Sequence, residues 1–314
     1  PYVFLDYKSK QRELAFCDLK NQLYLLRLNG TLDWKRKIDD QVMGDIHCVD
    51  YFRNRKYQLF FTTKKSVYLI DRNGAIVDGF PIILPSPATA EASIFDYDNN
   101  GENRIFVPVA DGRVLLYDKE GKEVKGWRFK TTTGVVSSPG DYNWQKGEDY
   151  ITLHDGIKFY FPDRRGRDRI AVNKSLLPST NALCYARDGD DGFLLPTKSG
   201  EIVKLRADGT YSSFIINPSD AGYYFIYADL NGNKRSDVII ADGNQLQVFD
   251  EAGKKIFAVK FDGEIDAIPA ITEGDGGKNN ILVQTNQAKS YLVNSSGSIL
   301  PGFPLNGSIF STYI

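Results

Sequence analysis

One glycine recurs at Gly30, Gly74, Gly121, Gly166, Gly209, Gly253 and Gly297, with successive intervals of 44, 47, 45, 43, 44 and 44 residues. That period matches a four-stranded propeller blade and exceeds the roughly 20 to 29 residues of a leucine-rich repeat. The flanks repeat with it. Each glycine follows an apolar run, as in NQLYLLRLNG, KSVYLIDRNG and NQLQVFDEAG, and precedes a short strand ending in an aromatic, as in GTLDW, GKEVKGW and GSILPGF. Asn29, Asn73 and Asp208 before it suit hairpin turns in which glycine takes a positive φ without steric cost.

Two further strands lie upstream in each unit. In SIFDYDNNGENRIFVPVADGRVLLYD two apolar runs flank an Asp/Asn/Gly loop, and an ADG turn leads into the third strand; YFIYADLNGNKRSDVIIADGNQLQVFD keeps the same order. A lone four-stranded unit cannot cover both of its faces, whereas units arranged radially bury each face against the next. The expected fold is therefore all-β, a seven-bladed β-propeller of four-stranded antiparallel blades in one domain, 1–314. The expected blades are 1–44, 45–90, 91–134, 135–180, 181–221, 222–264 and 265–306. The tail 307–314, GSIFSTYI, resembles the unit start EASIFDYD, so it reads as a closing strand or as the start of an incomplete eighth blade.

Composition agrees: Tyr and Phe number 18 and 19, Gly 28 and Met 1, which suits short strands and tight turns. The formal charge of −1 leaves no global field to draw in nucleic acid. The basic run Arg164, Arg165, Arg167 and Arg169 reads as a solvated strand edge. No apolar run approaches the roughly 18 residues that a membrane helix needs. The chain opens on Pro1 with no leader pattern, which reads as an excised piece. Cys17, Cys48 and Cys184 are too few and too scattered for a disulfide framework.

The segment LYLLRLNGTLDW resembles the repeat of PQQ-type quinoprotein propellers, while DLNGNKRSDVII and DYDNNGENRIFV resemble the calcium-loop (FG-GAP-like) repeats of integrin α-subunits and their bacterial relatives. Together with the Gly79-Phe80-Pro81 and Gly302-Phe303-Pro304 strand ends, the mixture is similar to bacterial envelope propellers. The resemblance implies the fold, and a periplasmic, outer-membrane-anchored or extracellular location. It also raises quinoprotein dehydrogenase chemistry, which uses adjacent cysteines that this chain lacks, so PQQ is set aside. His47 and His154 fall on different blades without metal-ligand spacing. A discontinuous glycosidase or lyase site in the central channel stays open as the enzymatic alternative.

The reading preferred is a non-catalytic binding or scaffolding propeller for a protein or glycan partner. Strand alternation puts the first loops and glycine turns on one side, and the DG-type turns and crossovers on the other. The crossover side is the expected binding face, with Asp111, Asp155 and Asp242 as an acidic rim. Trp34 and Trp127 are expected to pack between blades, which leaves Trp144 without that role.

A structural calcium ion is expected in the first loop of unit six. Asp229, Asn231, Asn233, the Arg235 carbonyl and Asp237 fall at positions one, three, five, seven and nine there, so that alternate oxygens approach one hard cation. Asp141, Asn143, Gln145 and Asp149 of unit four are the second choice. In unit three Arg104 stands at position nine, where its guanidinium is expected to replace the ion beside Asp96 and Asp98. The competing expectation is that Asp and Asn side chains bonded to backbone N–H groups hold these loops without metal.

Overall fold

Each unit folds as a meander because its strands are joined by turns too short for anything but an antiparallel neighbour. In the computed structural model, residues 2–6, 9–129, 131–145, 147–172, 175–186, 191–219 and 222–307 are described. Blade one comprises Tyr2–Leu5, Arg12–Cys17, Gln22–Arg27 and Leu32–Lys37, and blade two Val42–Val49, Gln58–Thr63, Ser66–Ile70 and Ile82–Ile83. Blade three has Ser93–Phe95, Arg104–Pro108 and Val114–Tyr117, and blade four Asp141–Gln145, Glu148–His154 and Phe159–Tyr160. Blade five is Cys184–Ala186, Gly192–Pro196, Glu201–Leu205 and Tyr211–Ile215. Blade six is Tyr224–Ala228, Asp237–Asp242, Gln245–Phe249 and Lys255–Lys260, and blade seven Ala270–Glu273, Asn279–Thr285, Lys289–Val293 and Leu305–Asn306.

Sheet order follows chain order in every blade, and the fold is the expected all-β seven-bladed propeller. In blades three and four the fourth strand shrinks to a bridge, Tyr117 to Glu123 and Pro162 to Asp168. Residues Ser308–Ile314, on which the eighth blade depends, lie outside the described residues.

The chain forms two compact units. One takes in Pro1–Asp155 and Tyr160–Arg169, hence blades one to four apart from Gly156–Phe159; the other takes in Gly156–Phe159 and Ile170–Tyr313, with blades five to seven. Within each unit the cores lie between successive blades. Successive residues of a strand point to opposite faces, so Phe61 packs with Leu23 and Leu25 of blade one while Phe60 packs with Ile105 and Leu115 of blade three. Phe106, beside Ile105, faces Ile151 and Leu153 of blade four. In the second unit Ile240 faces Leu194 and Ile202 of blade five, and Ile239 faces Ile281 and Val283 of blade seven. This two-sided burial is why the second strands read as continuous apolar runs, whereas the fourth strand Tyr211–Ile215 is mostly exposed.

All seven recurrent glycines have φ between +75° and +86°, and each N–H bonds the carbonyl three residues back at 2.8–3.0 Å. Five turns share a further device. Asp71, Asp118, Asp163, Asp250 and Asn294 each accept, through Oδ1, the N–H groups two and four residues on. The glycine also makes room for the preceding blade: a Cβ on Gly74 would lie 2.8 Å from the Trp34 ring, and one on Gly253 2.4 Å from Phe214. Trp34 thus packs between blades as expected, its indole N–H donating to the Arg72 carbonyl at 2.7 Å.

Candidate functional site

The aspartates expected to form an acidic rim are each bound by groups of the fold itself. Asp155 is 4 % exposed, and its Oδ2 accepts the Thr133 N–H, the Thr133 hydroxyl and the Gly134 N–H, each at 2.8 Å, together with the Tyr160 hydroxyl. Burial and that last bond push the Tyr160 pKa up. Asp155 therefore ties the crossover into blade four to the second strand of that blade and presents no carboxylate to a partner. Asp242 takes the Ser219 N–H at 2.6 Å and its hydroxyl at 2.7 Å. Asp111 is exposed but is gripped by Arg113, with Nη2 to Oδ2 at 2.7 Å, and the bond to Arg113 lowers its pKa. Asp111 and Asp155 belong to the first unit, Asp242 to the second.

The unit-six loop is held by its own side chains. Asp229 accepts the Gly232 and Lys234 N–H groups at 2.8 and 2.7 Å, Asn231 that of Asn233 at 3.0 Å, and Asn233 that of Arg235 at 2.7 Å. Asp237 is buried and accepts the Leu230 N–H at 3.2 Å; burial raises its pKa. Each of these oxygens keeps a second lone pair, so the donors suit a weak cation site. Among the described residues no three His, Cys, Asp or Glu side chains gather at one point; the unit-six set is instead two aspartates, two asparagines and a carbonyl. The second-choice segment differs from expectation: Asp141–Gln145 is a strand paired with Glu148–His154, not a loop. Asp149 there accepts the Arg164 N–H at 2.6 Å and pairs with Arg164 and Arg169. The Gln145 side chain lies outside the described residues.

In unit three Asp96 caps the N–H groups of Asn100 and Gly101. The guanidinium beside it belongs to Arg53 of the preceding blade, at 3.4 Å, while Arg104 turns to the Glu102 and Asn103 carbonyls. Arg164 reaches Asp98 at 3.0 Å and lies over Tyr97 and Trp144, 4.9 and 5.9 Å from the ring centres. The basic run is thus mostly ion-paired, since Arg167 also binds Asp163 and Arg169 also binds Glu148.

The histidines and cysteines are buried or half-buried. His154 is buried, with Nε2 3.4 Å from the Ser138 hydroxyl. His47 faces Glu91 at 3.4 Å, and that bond raises its pKa. All three cysteines are free, and burial pushes the Cys48 thiol up to about 11, well away from the thiolate form a nucleophile needs.

An open feature of the first unit lies on the side of the first loops and glycine turns. A cavity of about 590 Å³ sits between blades two and three, lined by Tyr51, Phe52, Arg53, Asp78, Lys119 and Glu120 among others. Its floor is backbone: a Cβ on Gly79 would lie 2.4 Å from the Glu120 carbonyl oxygen, and one on Gly121 2.5 Å from that of Gly79. Tyr51 braces one wall, donating its hydroxyl to the Lys119 carbonyl at 2.9 Å and packing edge-on against Phe80 at 5.9 Å. Burial, then the charges of Glu120 and Asp118, raise its pKa, so it remains a donor. Phe52 is 53 % exposed at the mouth. Sequence reasoning missed this groove. The available signal was a departure from the repeat, for Asp78 stands before the strand-end glycine where units three and seven have Lys125 and Pro301.

A second cavity, of about 410 Å³, lies between blades five and six in the other unit, with Phe214, Lys204 and the Arg235–Glu251 ion pair, 2.8 Å apart, in its wall.

No protein-family model matches the sequence, and no curated protein is similar to it in sequence. Among solved structures, the chain is similar to BBS1N in its complex with ARL6DN, at a TM-score of 0.62 and 12% identity, over 95% of this chain and 89% of that one. It is also similar to BamB from Moraxella catarrhalis, at a TM-score of 0.60 and 14% identity, over 96% of this chain and 87% of the other. At such identities the likeness is one of fold.

Proposed function

We propose that this chain is a non-catalytic protein-binding propeller that docks a partner on the first-loop side of its first unit. The observation that carries the reading is the groove between blades two and three. It has a backbone floor, one exposed aromatic and a volume in the range of about 300–1,000 Å³ typical of ligand pockets. Among the described residues His154 is buried, Asp155 is engaged by the crossover, and burial holds the Cys48 thiol away from its thiolate form. The fold can carry a protein partner, since BBS1N was solved in complex with ARL6DN.

A protein is favoured over a glycan because the one exposed tryptophan on this side, Trp144, lies under Arg164 rather than open as a stacking platform. A cell-envelope location belongs to this reading, and so does calcium in the unit-six loop. The ion would be structural, held by Asp229, Asn231, Asn233, the Arg235 carbonyl and Asp237, at affinities of roughly 10⁻⁴ to 10⁻³ M suited to extracellular calcium.

Site-specific photo-crosslinking in the source cell tests the docking face. A benzophenone side chain at Phe52 or Trp144 is expected to give a discrete adduct with one protein, and one at Arg113 on the crossover side is not. Adducts from Arg113 with none from Phe52 or Trp144 would return the binding face to the crossovers.

A further inference from the structure

The charges around the groove are unequally spent. Its two cations are neutralised within the fold: Arg53 bonds the Asn99 carbonyl and side chain and pairs with Asp96, and Lys119 pairs with Glu102. Its two exposed carboxylates, Asp78 and Glu120, close no ion pair among the described residues, and Glu120 has only the charge of the neighbouring Lys119 near it. Phe52 stands in the same wall with half its surface open. A groove with two unspent carboxylates and one open ring is complementary to a cation carried on an apolar stem.

We infer that the groove accepts a basic side chain, arginine in preference to lysine, presented by a segment of the partner protein. The inference rests on the protein-binding reading and names what that face recognises. The guanidinium can fork toward carboxylates while its plane lies on the Phe52 ring, which an ammonium does less well. Its stem covers the apolar wall. The fixed floor matters because the close approach of Gly79 and Glu120 holds the two acidic segments in place before a partner arrives, which lowers the ordering cost of binding. Contacts of this kind are individually weak, so an isolated arginine should bind only at roughly millimolar concentration and the rest of the partner segment supplies the remaining affinity.

The probe is Nα-acetyl-arginine methylamide titrated into the whole chain, read by amide chemical shifts. Shifts at Gly79, Gly101 and Lys119 are expected to saturate in the millimolar range and to shrink in 0.5 M salt. Nα-acetyl-norleucine methylamide should bind at least about tenfold more weakly, that is by about 1.4 kcal/mol. Asp78→Asn with Glu120→Gln should cost the arginine probe a similar factor without moving the melting temperature, because both side chains are exposed. Phe52→Ala should weaken it as well.

Equal binding of the norleucine probe, or arginine binding that survives the double substitution, overturns the proposal. So does spermidine binding as tightly as the arginine probe, which would make the groove a site for free cations. If the Phe52 crosslink to a partner persists unchanged in the double variant, the docking face stands and the basic side chain falls. If neither Phe52 nor Trp144 crosslinks, the face itself is wrong.

Discussion

Replacing Glu13 by glutamine should make the protein more stable above pH 7 and change it little near pH 5. Glu13 lies on the second strand of blade one, 2 % exposed, with one carboxylate oxygen buried and unbonded. Burial, the charge of Asp6 and a hydrogen bond with Asp33 raise its pKa from 4.5 to about 7, against the pull of Arg72 3.8 Å away. A carboxylate raised in this way holds its proton more tightly folded than unfolded. Its contribution is complete below about pH 4.5 and is lost as pH climbs toward 7. At about 1.36 kcal/mol per pH unit the displacement sets an upper bound of about 3 kcal/mol. Screening, and movement of Arg72 toward the charged form, reduce that to about 1–2 kcal/mol. Thermal or urea unfolding of the wild type and Glu13→Gln at pH 5 and pH 8 isolates the group from His47, whose own raised pKa affects both proteins alike. We expect a difference below about 0.5 kcal/mol at pH 5 and a gain of about 1.5–3 °C for the variant at pH 8. Parallel curves across that window would refute the reasoning.

Gly209 and Gly253 share a positive φ, but only Gly253 meets a neighbour, with Phe214 at 2.4 Å from its ideal Cβ. Gly209→Ala should therefore cost about 1–2 kcal/mol and Gly253→Ala about 1–3 kcal/mol more by urea unfolding; equal costs would mean that the blade contact contributes nothing. Asp155→Asn should destabilise by about 2–3 kcal/mol because several donors lose a charged acceptor, while Asp111→Asn should stay within about 0.5 kcal/mol; a small effect at Asp155 would show that the crossover does not depend on it. Millimolar calcium should raise the melting temperature of the wild type and not of Asp229→Ala, and calorimetry without heat in either protein would remove calcium from the unit-six loop.

The repeat, the strand order and the turns were legible in the chain because a blade is a local object. A glycine with positive φ, a turn residue beside it and an apolar run on either side act over a dozen residues, and any unit with them closes the same meander. Even the two-sided burial of Phe60 and Phe61 follows from strand alternation once blades are known to stack. What only the tertiary structure decided was which charges remain available. Asp155 looked like a rim aspartate until the crossover brought Thr133, Gly134 and Tyr160 onto it. Arg104 sat in register beside the unit-three loop, yet Arg53 from the preceding blade reaches Asp96. The groove itself is made where Gly79 of one blade meets Glu120 of the next, and no period in the sequence encodes that approach. Hydrophobic alternation and turn chemistry act through near neighbours and leave a pattern, whereas charge pairing and cavity shape arise between side chains that meet only after the blades have packed.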